Sequence, residues 1–364
     1  LTWGWNDMGV DGGELLAAAH TSGVPHPPGY PTYTLLLKLF STIVPVGDFA
    51  FRGNLMSAVL ASVSVVALYT ITLRFCLSFQ PKAPKWLALV AASLGASVFA
   101  TSPLFWSLAV ITEVYTLNVL LVGALIIIAT QVAFPGSPDD KTTKVIRHSM
   151  NPSLALFGLL LGLGLGNHLT ILAVAVPLLY WIGSHVGWRK TITPWLIIPL
   201  LAGMTIYVYL PIQAAQHPPI NWGNADTIQG AMWMLTAGPY QEYVFGVSTE
   251  TLTNRVLDWT QLVFVQFNPL GLFIGLMAIG PLRRLAPRFF YPSLASILIL
   301  SVYSINYSTF DFQVLMVPAF FIFATWIGIG FFWLVSTSIR DFTVAGSVNA
   351  GWRNHITAAH QASV

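Results

Sequence analysis

The sequence predicts an all-α polytopic membrane protein, and three observations carry that prediction. The first is composition. Of 364 residues, 55% are hydrophobic and only 8% charged, with a mean hydropathy of +0.71. Soluble domains carry about 25% charged residues, so lipid must be the solvent for most of this chain. The second is the recurrence of apolar stretches near the roughly 20 residues that a bilayer-crossing helix needs. The third is the charge of the connections, which alternates in sign along the chain. The net charge of +3 is therefore no nucleic-acid signal, and no nucleic-acid partner is expected. The single cysteine, Cys76, excludes an intrachain disulfide and a cysteine-based metal site.

Nine spans are expected, over residues 50–75, 84–104, 110–134, 153–166, 170–187, 194–213, 259–281, 289–306 and 313–337. One set of connections holds Arg74, Lys82 and Lys85; Lys141, Lys144, Arg147 and His148; Arg189 and Lys190; Arg283, Arg284 and Arg288; and Arg340 and Arg353. The positive-inside rule makes this set cytoplasmic. The opposite set holds Asp7, Asp11, Glu14, Asp48, Glu113, Asp226, Glu242, Glu250, Asp258 and Asp311. The expected organisation is an external first loop with interfacial helices (1–49), a transmembrane bundle (50–213), an external loop (214–258), a second transmembrane part (259–340) and a cytoplasmic tail (341–364). An external N-terminus needs a helix to carry it across, so a further span is expected upstream of Leu1.

The polar residues are concentrated in a few places. In the first loop, Asp11-Gly-Gly-Glu14-Leu-Leu-Ala-Ala-Ala-His20 reads as a short helix over 12–22, with Asp11 and Glu14 on one face at its start. An aspartate there can be an ordinary N-cap. The following His26-Pro-Pro-Gly-Tyr30-Pro cannot be helical and forms a stiff elbow before a second short helix over 33–44. Two carboxylates and two imidazoles within sixteen residues stand out in a chain that uses charge so rarely. In the second external segment, His217-Pro-Pro-Ile-Asn-Trp222 precedes a short helix over 229–235 and then Gly238-Pro-Tyr240. Trp222 and Tyr240 are either interfacial anchors or platforms for a sugar ring. Glu113, Tyr115 and Asn118 sit at one span mouth, and Asn167 and His168 at the tip of the Gly162-Leu-Gly-Leu-Gly166 hairpin. No Walker A loop, dinucleotide fingerprint, HExxH or nucleophile elbow is present, which argues against ATP hydrolysis and nicotinamide chemistry.

These segments resemble the family 117 glycosyltransferases, of the GT-C class. The resemblance rests on Asp11 to His20 with His26 to Pro31, then Glu113-Val-Tyr-Thr-Leu-Asn118, Gly166-Asn-His-Leu-Thr170, Tyr209-Leu-Pro and Asn221-Trp-Gly, in that order along nearly the whole chain. It implies a GT-C-like bundle and an inverting transferase. Such an enzyme moves a sugar, a hexose such as mannose, from a polyprenyl or dolichyl phosphate to an acceptor hydroxyl, on protein Ser/Thr or a glycan, at the non-cytoplasmic face. The family's first loop carries the catalytic acidic residue, which points to Asp11 and then Glu14. His26, Tyr30, Glu113, Tyr115, Asn118, Asn167, His168, Trp222 and Tyr240 are the expected donor- and acceptor-binding residues. Relatives often have Arg where this chain has Gln213, so a donor phosphate would need another group, such as His168 or Arg52. The carboxylate and imidazole set is compatible with a divalent metal, though no cofactor is required. The expected membrane is a bacterial inner membrane rather than the endoplasmic reticulum. The alternative reading is a transporter or flippase of a lipid-linked substrate, which predicts movement across the bilayer without glycoside formation. A non-catalytic assembly protein would tolerate replacement of its external carboxylates.

Overall fold

The computed structural model describes residues 11–133 and 150–361, the stretch 340–361 as backbone alone. Asp7 and the basic connection with Lys141, Lys144, Arg147 and His148 lie outside the described residues. Among the described residues the fold is all-helical. The β-type pairing there is an isolated parallel bridge between Val24 and Asn221.

The two short helices expected over 12–22 and 33–44 are both present. Helix α1 (Gly12–Thr21) ends at Ser22, which takes a left-handed conformation. Helix α2 (Pro31–Ile43) starts with proline at its first position, where no amide is needed. Helix α3 (Phe49–Phe79) is capped by Asp48, whose side chain accepts from the Phe51 amide at 2.7 Å. There follow α4 (Lys85–Ala100), α5 (Pro103–Ala109), α6 (Tyr115–Ala133), α7 (Met150–Leu165) and α8 (Leu172–Val186). Next come the short α9 (Trp188–Thr191), then α10 (Pro194–Met204), α11 (Tyr209–Ala214) and α12 (Ile228–Leu235). The chain continues through α13 (Thr249–Met277), α14 (Ile279–Leu285), α15 (Pro287–Asn306) and α16 (Val317–Gln361).

The nine expected spans all fall on helices, but not all are long enough alone. Seven stretches can cross a membrane by length and composition: Phe49–Phe79, Tyr115–Val132, Leu169–Val186, Pro194–Ala214, Thr249–Leu285, Pro287–Asn306 and Phe312–Ile339. The expected span 84–104 is two helices, α4 and α5, meeting at a 70° bend, and counts as an eighth only if the pair is taken together. Pro103 sets that break, because the residue before a proline is pushed out of the helical region, and Ser102 is extended. The expected span 153–166 is α7, with 16 residues. In α13 the break at Asn268, with φ +49°, is stabilised by its own side chain, which accepts from the amides of Leu270 and Gly271.

Burial ranks the helices. The most apolar stretch of Phe312–Ile339 is 83% buried, and α16 is the central post against which α3, α4 and α13 pack. The stretch Pro194–Ala214 is only 17% buried and forms the periphery, the pattern of a lipid-facing helix. Without a hydrophobic drive between helices in lipid, contact depends on close backbone approach through small residues. Where α4 crosses α16, a Cβ on Gly95 would lie 2.7 Å from the Ala324 carbonyl, and one on Gly328 would lie 2.8 Å from that of Ala91. Both obstacles are backbone and cannot rotate away. Gly95→Val and Gly328→Val are each expected to destabilise the bundle by about 1–3 kcal/mol. The check is the detergent-solubilised melting temperature, with Gly280→Ala, where no atom lies within 4 Å of the added carbon, as the neutral comparison.

Candidate active site

The site is built by the elbow that follows α1. Glu14 lies one turn into α1, and both of its carboxylate oxygens bind His26. One accepts from the His26 backbone amide at 2.9 Å, and the other meets ring Nδ1 at 2.8 Å. This bidentate hold folds the elbow back over the helix and aims the opposite ring nitrogen outward. His26 Nε2 then faces the Tyr30 hydroxyl at 3.1 Å and Asp11 Oδ2 at 3.7 Å. Gly29 (φ +87°) and Tyr30 (φ +39°) complete the turn, and a Cβ at Gly29 would lie 2.8 Å from the Leu210 side chain. Asp11 precedes α1 but makes no side-chain cap bond, so the ordinary N-cap role does not apply and its carboxylate is turned to the cavity.

The segment between α11 and α12 is tied to this elbow. The Val24 amide donates to the Ile220 carbonyl at 2.8 Å, and the Trp222 amide donates to the Val24 carbonyl at 3.0 Å. The Tyr209 hydroxyl donates to the Gly23 carbonyl at 3.0 Å. Val24, Leu210, Ala214, Ala225 and Met234 form a small separate core beneath this junction. Trp222 and Tyr240 thereby come edge-on to His26, with ring centroids 6.4 and 6.0 Å away.

The third contribution is the turn after α7. Thr32 pins that turn with two donated bonds, from its amide to the Gly166 carbonyl and from its hydroxyl to the Leu163 carbonyl. Asn167 is fully buried and donates to the Val114 carbonyl, while Asn118 donates to the Thr170 hydroxyl at 3.0 Å. Thr170 in turn faces His168 Nδ1, with its amide at 3.3 Å and its hydroxyl at 2.8 Å. An acceptor at Nδ1 leaves the ring proton on Nε2. Burial, helped by the nearby charge of His26, pushes the His168 pKa down to about 4, so the ring is neutral near pH 7. Its face is stacked by Tyr30 at 6.4 Å and tilted against Tyr115 at 5.4 Å.

These groups enclose a cavity of about 530 Å³, within the range of small-ligand sites. Of the expected residues, Asp11, His26, Tyr30, Tyr115, His168 and Tyr240 line it. Glu14, Glu113, Asn118, Asn167 and Trp222 do not; of these, Glu14 orients His26, while Asn118 and Asn167 brace the turn that carries His168. Arg52 is not a phosphate candidate here, because its guanidinium is spent on the carbonyls of Ser41, Val46 and Gly47. Sequence reasoning missed Asp311, Tyr243, Tyr303 and Tyr307, which form the far wall. Asp311 had been visible only as one of ten external carboxylates.

The carboxylates differ in state. Burial pushes Asp11 above its ordinary value. His26 opposes that shift, and the charges of Asp311 and Glu14 add to it. Burial also pushes Glu14 upward, but hydrogen bonds from His26 and Trp222 outweigh it and hold the carboxyl below its ordinary value. Glu113 is buried at 6% exposure, and burial with the Asp11 charge drives it to about 8. Ligand atoms of Asp11, Glu14 and His26 lie within 4.8 Å of one another, so this trio could hold a metal ion. Nδ1 of His26 is bonded to Glu14, so a metal ion would have to take Nε2, which faces Tyr30 and Asp11.

Residues 11–191 match the family model of the N-terminal domain of protein O-mannosyl-transferase TMEM260. The chain is similar to protein O-mannosyl-transferases. Mouse protein O-mannosyl-transferase TMEM260 is 33% identical over 268 residues, covering 70% of this chain and 35% of the relative. The protein of that name from Dictyostelium discoideum is 26% identical over 281 residues, covering 74% of this chain and 33% of the relative. The chain thus spans about a third of the length of the curated relatives it matches. No solved structure matches. Both relatives are eukaryotic, so the expectation of a bacterial inner membrane finds no support in them; that this is an integral membrane protein stands on its helices.

Glu113 gives a test of the site's electrostatics. Its folded-state value of about 8 lies above the ordinary 4.5, so the stability it confers is full below pH 4.5 and is lost as pH rises toward 8. Glu113→Gln cannot ionise. Its melting temperature is expected to match the unaltered chain near pH 4.5, to exceed it increasingly up to pH 8, and to keep a constant lead above that.

Proposed function

We propose that the chain belongs to the protein O-mannosyl-transferase TMEM260 family, within glycosyltransferase family 117 and the GT-C class. In this reading it transfers a hexose such as mannose from a polyprenyl or dolichyl phosphate to a serine or threonine hydroxyl of a protein, at the non-cytoplasmic face. The observation that carries the reading is Asp11: a carboxylate that leaves its helix uncapped, lines the cavity, and is raised toward the range of a working base by its surroundings. The names of the similar proteins supply the acceptor class and the sugar.

The reaction balances without a cofactor. The acceptor oxygen attacks the anomeric carbon while the bond from that carbon to the phosphate oxygen breaks, inverting the centre. Asp11 takes the proton from the acceptor hydroxyl, and the lipid phosphate leaves with the electron pair. His26 faces both Asp11 and Tyr30, and its fixed orientation comes from Glu14, which acts as a positioning residue. The cavity lining among the described residues contains no lysine or arginine. The departing phosphate is therefore met by neutral donors: His168 Nε2–H and the tyrosine hydroxyls, of which Tyr240 is held as a phenol up to about 12 by burial and the charge of Asp11. A divalent ion is not needed for any of these steps.

Asp11→Asn is expected to lower transfer by at least about a hundredfold, the lower range for loss of a general base. Membrane insertion and folding are expected to persist. Transfer from a mannosylated polyprenyl phosphate to a serine- and threonine-bearing protein, followed by mass spectrometry of the added hexose, is the measurement. Full activity in the purified Asn variant would remove Asp11 from this role. The unaltered chain should also lose rate as pH falls, with a midpoint above the ordinary aspartate value of 3.8, because the base must be ionised to act.

A further inference from the structure

We propose that the chain carries a separate subsite that holds an extended stretch of the acceptor polypeptide. The subsite is a second cavity, of about 810 Å³, that adjoins the reaction cavity. This inference rests on the transferase reading and names where its acceptor lies. The two cavities share the side chain of Phe310. The wall between them is the segment carrying Asp311, braced by Arg255, whose guanidinium donates to the Thr309 carbonyl at 2.9 Å and lies 4.2 Å above the Phe312 ring.

The chemistry of the lining selects the occupant. One wall is a single face of α13, since Thr251, Asn254, Asp258, Gln261 and Val265 recur at three- and four-residue intervals. Asn254 and Gln261 are exposed, as is Gln313 opposite. An amide side chain offers both a donor and an acceptor, which is what alternating backbone N–H and C=O groups require. Of the two aromatic rings in the lining, Phe312 is covered by Arg255 and Phe310 stands at the junction with the reaction cavity, so a sugar seated along α13 would lack an aromatic face. A lipid phosphate would meet the Asp258 carboxylate, and Arg255 is already engaged with a carbonyl. A fourth amide, Gln266, accepts from the Leu104 backbone at 2.9 Å and so belongs to the wall rather than to the ligand. A polypeptide lying along α13 can pass one hydroxyl-bearing side chain over Phe310 toward Asp11.

The test uses the purified full chain in liposomes. The probes are a fluorescent, unstructured peptide rich in glycine, serine and threonine, and a mannosylated polyprenyl phosphate as donor. The combined Asn254→Ala and Gln261→Ala variant removes only exposed side chains, so its fold is not at stake. Its Kd for the peptide, and its KM for the peptide in transfer, are expected to rise about tenfold through the loss of two hydrogen bonds. The KM for donor, and the hydrolysis of donor without peptide, are expected to stay unchanged. Absence of peptide binding by the unaltered chain overturns the proposal, as does unchanged peptide binding in the variant. A rise in donor KM alone overturns it in favour of the lipid-linked donor. Loss of peptide binding in the variant, in a chain that never transfers sugar, would sustain the subsite while removing the transferase reading.

Discussion

The pairing of Glu14 with His26 is the constraint on which the site is built. Two hydrogen bonds to one carboxylate fix both a backbone amide and a ring nitrogen twelve residues away in sequence. A charge-assisted contact of this kind is stronger and more directional than a neutral one. It turns the His-Pro-Pro-Gly-Tyr run back onto α1, sets the ring toward Asp11 and Tyr30, and leaves Val24 positioned to take the segment before α12 in a short parallel bridge. Without it, Asp11 would sit on a helix end with nothing to face.

The surrounding bundle supplies the dry, rigid setting that makes such a contact effective. Asn118, Thr170 and His168 form one hydrogen-bonded chain, and Asn167 ties the same turn to the strandless stretch before α6. All are buried or nearly so, where an unpaired polar group is costly. Their arrangement shows how a membrane protein places a neutral imidazole at a cavity: the ring is oriented by hydroxyl and amide groups rather than by a counter-ion.

Much of this was legible in the sequence, for identifiable reasons. Low charge and long apolar runs dictate helices in lipid, and the short helices of the first loop follow from where proline and glycine stand. The carboxylates and imidazoles of the first loop stand out because charge is scarce. The bend at Ser102 was missed because α4 and α5 together carry one uninterrupted apolar signal, with Pro103 as the sole sign of a break. The split between lining and supporting residues was also hidden. Glu14 and Asp11 share a helix face, and only the return of His26 decides which one is covered. Asp311 and the tyrosines at 243, 303 and 307 reach the cavity through contacts across the whole chain, which no local pattern reveals.

The bridge at Val24 has a consequence for how the site divides along the chain. Asp11, His26, Tyr30, Tyr115 and His168 all precede residue 191, whereas the rest of the cavity wall comes from residues 236–244 and 303–315. The two contributions to the cavity thus lie far apart in sequence, and a few backbone bonds join the first to the segment before α12. Substitutions in the later segments can therefore reshape what the cavity admits while Asp11, His26 and His168 stay in place.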